Sequence, residues 1–575
     1  MRRVRALGRA ALDRPAICAI VALGIAWGSL MHATGWAQTS FYAQERALAA
    51  GQSEIDRWKW QAKDEAWYHH HFYSVKAPGL AALTLPAYLA LDALDAQSVA
   101  RHAAANATRT ANDHWHTDAP LRYFGFDAQR ATRVQGEIAN FTPMVWALTL
   151  FGAVLPAIAL LLMVRWAGDR IEPGFGAAAA VTLGLATIVM TFASEYFSHV
   201  ASAALGFGAF VLLMREREGQ QRLWVVALAG LLAGLSVCLE YPLGLLAVVL
   251  FGYAIARPER LRRGVAFAVP AILGAVPTLV YNAWSLGSPF RFAYSYAVAV
   301  PGKSGHAVLG LNSSGFFGIG APRPGAAIDI LLSSRGLLTL TPIVVMGVVG
   351  TVLMRRNGRR AEAWVIAAMT VAFLLYNIGY WQPMGGGTPG PRFLIPALPF
   401  LALGLAPAYR RHPALTLGLA IPSALIMLAG TLTYPLLGDG GTATWVSWLV
   451  HGSLEHTVLT ALGVTNAWLG VLPVLAAVAA ATFFAVRATP RVPIGSVRPA
   501  LWVVLAWSAV FIVAPTIAGD PVTPLHRGYA ALALVGAAAA VSVLTLLALR
   551  RREAGAESAG ERRLGFDEPL SQPGS

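Results

Sequence analysis

Two cysteines in 575 residues, Cys18 and Cys238, lie far apart in separate apolar runs, which excludes a disulfide-stapled scaffold. Charge is scarce as well. Asp, Glu, Lys and Arg make up 13% of the chain, where an ordinary soluble domain carries about a quarter, and 56% of the residues are hydrophobic. That balance excludes a soluble multidomain enzyme and an intrinsically disordered chain. Lysine is nearly missing: of 44 basic residues, only Lys59, Lys63, Lys76 and Lys303 are lysines. No repeat with a period of 20–50 residues is present, which sets aside solenoid architectures. What the chain does contain is a succession of long apolar runs, the mark of an all-α polytopic membrane protein.

About fourteen runs approach the ~20 residues that a membrane crossing needs. They lie near 15–36, 142–164, 174–192, 197–214, 223–239, 241–256, 264–285, 336–354, 361–380, 392–408, 413–436, 467–486, 500–517 and 529–549. The net charge of +15 comes from short arginine clusters between these runs. Their placement at every second loop reads as membrane topology, not as a nucleic-acid surface, and predicts that these loops and both termini face the cytoplasm. The predicted organisation is a cytoplasmic N-terminus (1–14), a transmembrane core (15–408), further C-terminal transmembrane helices (409–549) and a disordered cytoplasmic tail (550–575). The core carries large outer loops at 37–140 and 286–335. Within the first of these, Leu80–Leu94 is apolar but too short and broken to span, and reads as an interfacial or re-entrant helix.

Chemistry is expected where polar residues interrupt this pattern on the outer side. The densest stretch is Asp56–Gly79, with Asp64, Glu65, the consecutive histidines His69, His70 and His71, the aromatic Tyr73, and Lys76 before Pro78-Gly79. A carboxylate there suits a general base or a divalent-metal ligand, with Asp64, His69 and His71 as candidate ligands, and Lys76 suits a phosphate. The bland alternative is a solvated interfacial loop with a surface His cluster. Glu195 and Glu240 lie at outer helix ends, where a carboxylate is either a site or a wet hairpin turn. Arg335 and Arg392 break the inside rule for basic residues. Arg392 follows Trp381 and a run of glycines and prolines, whose backbone can approach a ligand closely. An arginine fork beside such a loop suits phosphate or carboxylate.

With many spans, a long first outer loop, cytoplasmic termini and acids after the first span, the chain resembles the GT-C superfamily of integral-membrane glycosyltransferases, and within it family 39, the group of protein O-mannosyltransferases and aminoarabinose transferases. It is also similar to a bacterial subgroup of that family whose members carry stretches like His71-Phe-Tyr-Ser-Val-Lys-Ala-Pro-Gly79, Tyr281-Asn282 with Gly287-Ser-Pro-Phe290, Arg335-Gly-Leu337, and Gly390-Pro-Arg392 with Pro396. The resemblance implies a GT-C-like fold in the bacterial cytoplasmic (inner) membrane. It also implies transfer of a sugar from a polyprenyl-phosphate donor to a lipid or glycan acceptor outside the cytoplasm. Carried over, Lys76, Arg392 and Arg335 would hold the donor phosphate, and Asp64 with Glu65 would serve as base or metal-binding acid; Tyr73, Glu195, Glu240 and Trp381, read from the polar and aromatic pattern itself, are expected to border the substrate cavity. A divalent metal is the one cofactor implied, and nucleic acid is not an expected partner.

One departure stands out. The family carries an Asp-Glu-Ala-x-Tyr stretch directly after the first span. Here that place reads Gln38-Thr39-Ser40-Phe41-Tyr42, with no acid before Glu45, while Asp64-Glu65-Ala66-Trp67-Tyr68 stands close to Lys76. Either the catalytic acid has moved to Asp64, or the chain is not a typical member of the family, an atypical member inactive as a transferase included. The alternatives are a transporter or flippase of a lipid-linked or anionic substrate, which would use Glu240, and a non-catalytic membrane scaffold.

Overall fold

The computed structural model describes residues 2–62, 64–110, 115, 128–219, 222–298, 318–436, 441–517 and 529–564. Lys63, Lys303, most of 111–127, the stretch 299–317 of the second large loop and the last eleven residues lie outside them. The chain is nearly all-α. Among the described residues, eight helices are long and apolar enough to cross a membrane, or eleven if each of three bent pairs counts as one span. Four further apolar helices, Arg14–Ser29, Gly176–Leu185, Leu223–Leu239 and Leu243–Ile255, are shorter. This is a multi-pass membrane protein. Its outward surfaces fit that solvent: on the helix Arg260–Leu286, Ile272, Leu273 and Val280 are each 60% or more exposed. In water such a surface would be an aggregation liability, whereas lipid is as apolar as these side chains.

The apolar runs predicted near 336–354 and 392–408 are broken. Pro324–Leu340 and Val344–Arg356 meet at 83°, and Arg392–Leu403 and Leu405–Arg411 at 43°. The expected interfacial segment is a helix, α3 (Gly79–Ala93), turned by 90° against α4 (Ala96–Ala107). Residues expected to form a disordered tail instead continue the last helix to Leu564.

The arginine clusters meet one another. Glu218 takes Arg170 at 2.7 Å and Arg359 at 2.6 Å, Glu216 accepts a two-pronged contact from buried Arg263 at 2.7 and 2.8 Å, and Glu172 pairs with Arg410. Five loops spread over 240 residues therefore share one end of the bundle, as the alternation of basic clusters predicts.

The opposite end carries what little β-structure there is. The first helix, α1 (Arg2–Ser29), runs into β1 (Leu30–Met31) and then α2 (Trp36–Ala49). Strands β2 (Glu65–Tyr68) and β3 (His71–Ser74) form a hairpin with Tyr68 opposite His71, and β4 (Ala297–Val298) pairs on the other edge of β2. The two-residue hairpin turn is His69-His70, both at positive φ (47° and 67°), the backbone such a tight turn needs. Strand β5 (His456–Thr457) pairs antiparallel with β1, with Met31 opposite His456.

Candidate active site: a cationic, aromatic cavity

Helix α2 is buried along most of its length, and its polar residues fasten the loop that carries Lys76. Ser40 donates to the Asp64 carbonyl at 2.5 Å and lies 2.8 Å from the Ser74 hydroxyl. Gln44 donates to the Lys76 carbonyl and to the Tyr281 hydroxyl, at 3.3 and 3.0 Å. So held, the Lys76 ammonium donates to the Asp64 carboxylate at 2.5 Å, both side chains being nearly buried. Burial pulls the lysine below its ordinary pKa, and the Asp64 charge opposes that pull. Gly79 explains the Lys-Ala-Pro-Gly sequence: its α-carbon packs on the backbone of Cys238 and Leu239, so a β-carbon would come within 2.6 Å of the Leu239 nitrogen. The glycine thus seats the Lys76 loop against the helix end that leads into Glu240.

Between these elements lies a cavity of about 310 Å³. Its polar side is made by Lys76, His199, Glu240 and Arg392, together with Tyr294 and Tyr380. Phe41, Phe197, Phe393 and Leu239 supply apolar wall, and the lining reaches Leu245, an exposed residue of the apolar helix Leu243–Ile255. Arg392 lies over two of the aromatic faces, its guanidinium carbon 5.4 Å from the Phe197 ring centre and 5.2 Å from that of Phe393. Its Nε is buried, with no hydrogen-bond partner among the described residues. A β-carbon at Gly385, which has φ +76°, would stand 2.7 Å from that nitrogen, so glycine there gives the guanidinium its room. His199 Nδ1 pairs with Glu240, whose other oxygen accepts from the Ser202 hydroxyl at 3.1 Å. The imidazole stacks on Phe197, with ring centres 5.6 Å apart.

The structure thus unites Lys76, Glu240 and Arg392 of the predicted residues, and disperses the others. Asp64 touches Lys76 from behind and is not part of the cavity lining. Glu65 is buried on β2, outside the cavity lining, and desolvation holds its carboxyl well above the usual range. Arg335 bonds the carbonyls of Gly386 (2.8 Å) and Thr388 (3.4 Å), bracing the glycine-rich loop from outside the cavity. Tyr73 and Trp381 pack in one apolar cluster with Ala66, Leu286 and Ala297. The suggested metal ligands are apart in function: Asp64 holds Lys76, His71 pairs with Asp56 at 2.6 Å, and His69 is a turn residue. Among the described residues, no group of three or more His, Cys, Asp or Glu is arranged to hold a metal ion.

Glu195 belongs to a second, tighter cluster beside β1. Gln38 donates to it at 2.6 Å, and His32 stands between it and Glu455, with Nδ1 3.9 and 3.4 Å from the two carboxylates. His32 also meets the Ser194 hydroxyl at 2.9 Å through Nε2. Burial pushes the Glu195 carboxyl up to about 7, with the His32 ring opposing it, and lowers the His32 imidazole. Glu45, the first acid after the first span, accepts from the Tyr196 hydroxyl at 2.8 Å, and burial pushes it up to about 7.

Sequence reasoning did not single out His199, Tyr294 or Glu455 as site residues. His199 and Ser202, three apart on an otherwise apolar helix, place two polar groups on one face, a signal that was available. Tyr294 and Glu455 arrive by long-range packing and carry no local signal. Compared with protein-family models, with curated proteins and with solved structures, the chain matches none.

Proposed function

We propose that this chain is a membrane glycosyltransferase that moves a sugar from a polyprenyl-phosphate carrier to a lipid or envelope glycan acceptor. One juxtaposition supports the reading above all: Lys76 and Arg392 both line a cavity of aromatic and aliphatic side chains that extends to the exposed, apolar Leu245. Two cations suit a phosphate, aromatic faces suit a sugar ring or an isoprenoid, and an apolar edge suits a tail that stays in lipid. In this reading Lys76 and Arg392 hold the donor phosphate, Asp64 orients Lys76, and Arg335 supports the loop that presents Arg392. Because the leaving group is polyprenyl phosphate, a stabilised phosphate monoester, a single displacement with inversion at the anomeric carbon needs little acid assistance.

The same reading takes the eight long helices, the two broken pairs after Pro324 and the four shorter apolar helices as fourteen spans. The pair α3–α4 is then re-entrant. With the arginine-rich end in the cytoplasm of a bacterial inner membrane, both termini are cytoplasmic and the cavity faces outward.

Native mass spectrometry of the detergent-purified protein tests this reading, with wild type beside Arg392→Ala. A co-purifying polyprenyl phosphate or polyprenyl-phosphate sugar, lost in the variant, is the expected result. Wild-type protein free of such lipid, and unable to bind added undecaprenyl phosphate, overturns the reading.

A further inference from the structure

A glycosyl transfer needs a group that takes the proton of the acceptor hydroxyl, and the position of Asp64 argues against that acid. Its carboxylate is committed to Lys76 at 2.5 Å and does not line the cavity. Of the other two acids of the loop, Asp56 pairs with His71 and Glu65 lies on β2, and neither lines the cavity. The groups that do line the cavity are mostly cations and tyrosines, which are proton donors near neutral pH. Two residues remain, and they form a unit: His199 and Glu240.

We infer that His199 is the general base of this site and that Glu240 is its positioning residue. The inference rests on the transferase reading given above. Three observations carry it. Glu240 engages His199 through Nδ1, which leaves Nε2 as the ring nitrogen available to an acceptor. Glu240 is itself oriented by Ser202, so the carboxylate–imidazole axis is held at both ends. The ring is clamped between aromatic side chains, stacked on Phe197 and edge-on to Phe393 with centroids 5.7 Å apart, the same two rings that carry Arg392. The proton acceptor and the phosphate-binding cation thus share one aromatic platform. A carboxylate behind an imidazole fixes the tautomer and stabilises the imidazolium that forms.

The step balances as follows. The acceptor O–H proton passes to His199 Nε2 as the acceptor oxygen bonds to the anomeric carbon. The bond from that carbon to the phosphate oxygen breaks, and its electron pair leaves with polyprenyl phosphate. The imidazolium, paired with Glu240, releases its proton to solvent before the next turnover. Besides Glu240, the charged groups that line the cavity with His199 are Lys76 and Arg392.

The test uses the full chain in proteoliposomes, with the polyprenyl-phosphate sugar that co-purifies with it as donor. Diethyl pyrocarbonate labelling of His199, read by peptide mass, is run with and without undecaprenyl phosphate. Protection of His199 by the lipid is expected. His199→Ala lowers turnover on the order of 10²–10⁴-fold, the usual weight of a general base, retains undecaprenyl phosphate binding and is partly restored by added imidazole. Glu240→Gln, which preserves shape, lowers kcat more than it raises KM and moves the acid limb of the pH–rate profile. A His199→Ala protein that turns over at the wild-type rate overturns the base while leaving the transferase reading standing. Wild-type protein with neither lipid protection nor turnover overturns both.

Discussion

Gly79 lies on the backbone of Cys238, two residues before Glu240 in the chain. A β-carbon there would stand 2.5 Å from the Cys238 carbonyl carbon, so the loop bearing Lys76 and the helix end leading into Glu240 are in direct backbone contact. Gly79→Ala forces them apart. Overpacking of this kind costs about 1–3 kcal/mol, and here it also widens the cavity wall between a cation and a carboxylate. We expect a lowered thermal midpoint together with weaker binding of undecaprenyl phosphate, read in one lipid titration. Wild-type values for both would show that the contact relaxes without consequence.

The Lys76–Asp64 pair separates stability from function. Removing one partner leaves a buried, uncompensated charge, a loss of about 3–5 kcal/mol, so Asp64→Leu and Lys76→Met each destabilise the protein strongly. The double variant restores most of that stability, because apolar groups of similar volume replace the pair. Its lipid phosphate binding stays lost, because Lys76 is gone. Thermal denaturation of the three variants, with binding measured on the double variant, checks both halves.

Glu45 and Glu195 set a pH dependence of the opposite sense to ordinary acid denaturation. Burial raises each carboxyl from about 4.5 to about 7 in the folded protein, so the folded state binds the extra protons. Their contribution is complete below about pH 4.5 and is lost as pH rises through about 7. Each amounts to on the order of 3 kcal/mol at 1.36 kcal/mol per pH unit. The thermal midpoint should fall between pH 5 and pH 8. Glu45→Gln should flatten part of that slope and Glu45→Gln with Glu195→Gln most of it. A slope unchanged in the double variant would assign it to other groups.

Arg335 acts at a distance. Its guanidinium joins the Gly386 and Thr388 carbonyls, and the loop it braces leads to Arg392. Arg335→Lys keeps the charge and loses the planar fork. We expect about tenfold weaker undecaprenyl phosphate binding, the equivalent of about 1.4 kcal/mol and of one lost hydrogen bond to a charged group. An unchanged dissociation constant would mean that the loop holds its shape without the arginine.

How much of this was legible in the sequence varies with the range of the interaction. The apolar runs and the helix over Leu80–Leu94 are local properties, set by hydropathy over some twenty residues; the structure forms helices there, two of the runs being broken and the first ending at Ser29 before β1. Glycine and proline around Arg392 and after Lys76 announced close backbone approaches, and Gly79 and Gly385 make them. The three histidines drew attention by composition alone. Only the register of β2 with β3 reveals two of them as the turn of a hairpin.

The sequence by itself determined that this chain lives in a membrane, because the balance of apolar to charged residues permits no other solvent. It also determined which end of the bundle gathers arginine. Tertiary structure alone decided which polar residues share a cavity. Glu195 and Glu240 read alike as acids at helix ends, yet one joins His32 and Glu455 beside β1 and the other joins His199 in the cavity that Lys76 and Arg392 also line. The reason is physical. A buried carboxylate must find its partner wherever the fold supplies one, and here β1 meets β5 across more than four hundred residues, a distance at which local pattern carries no information.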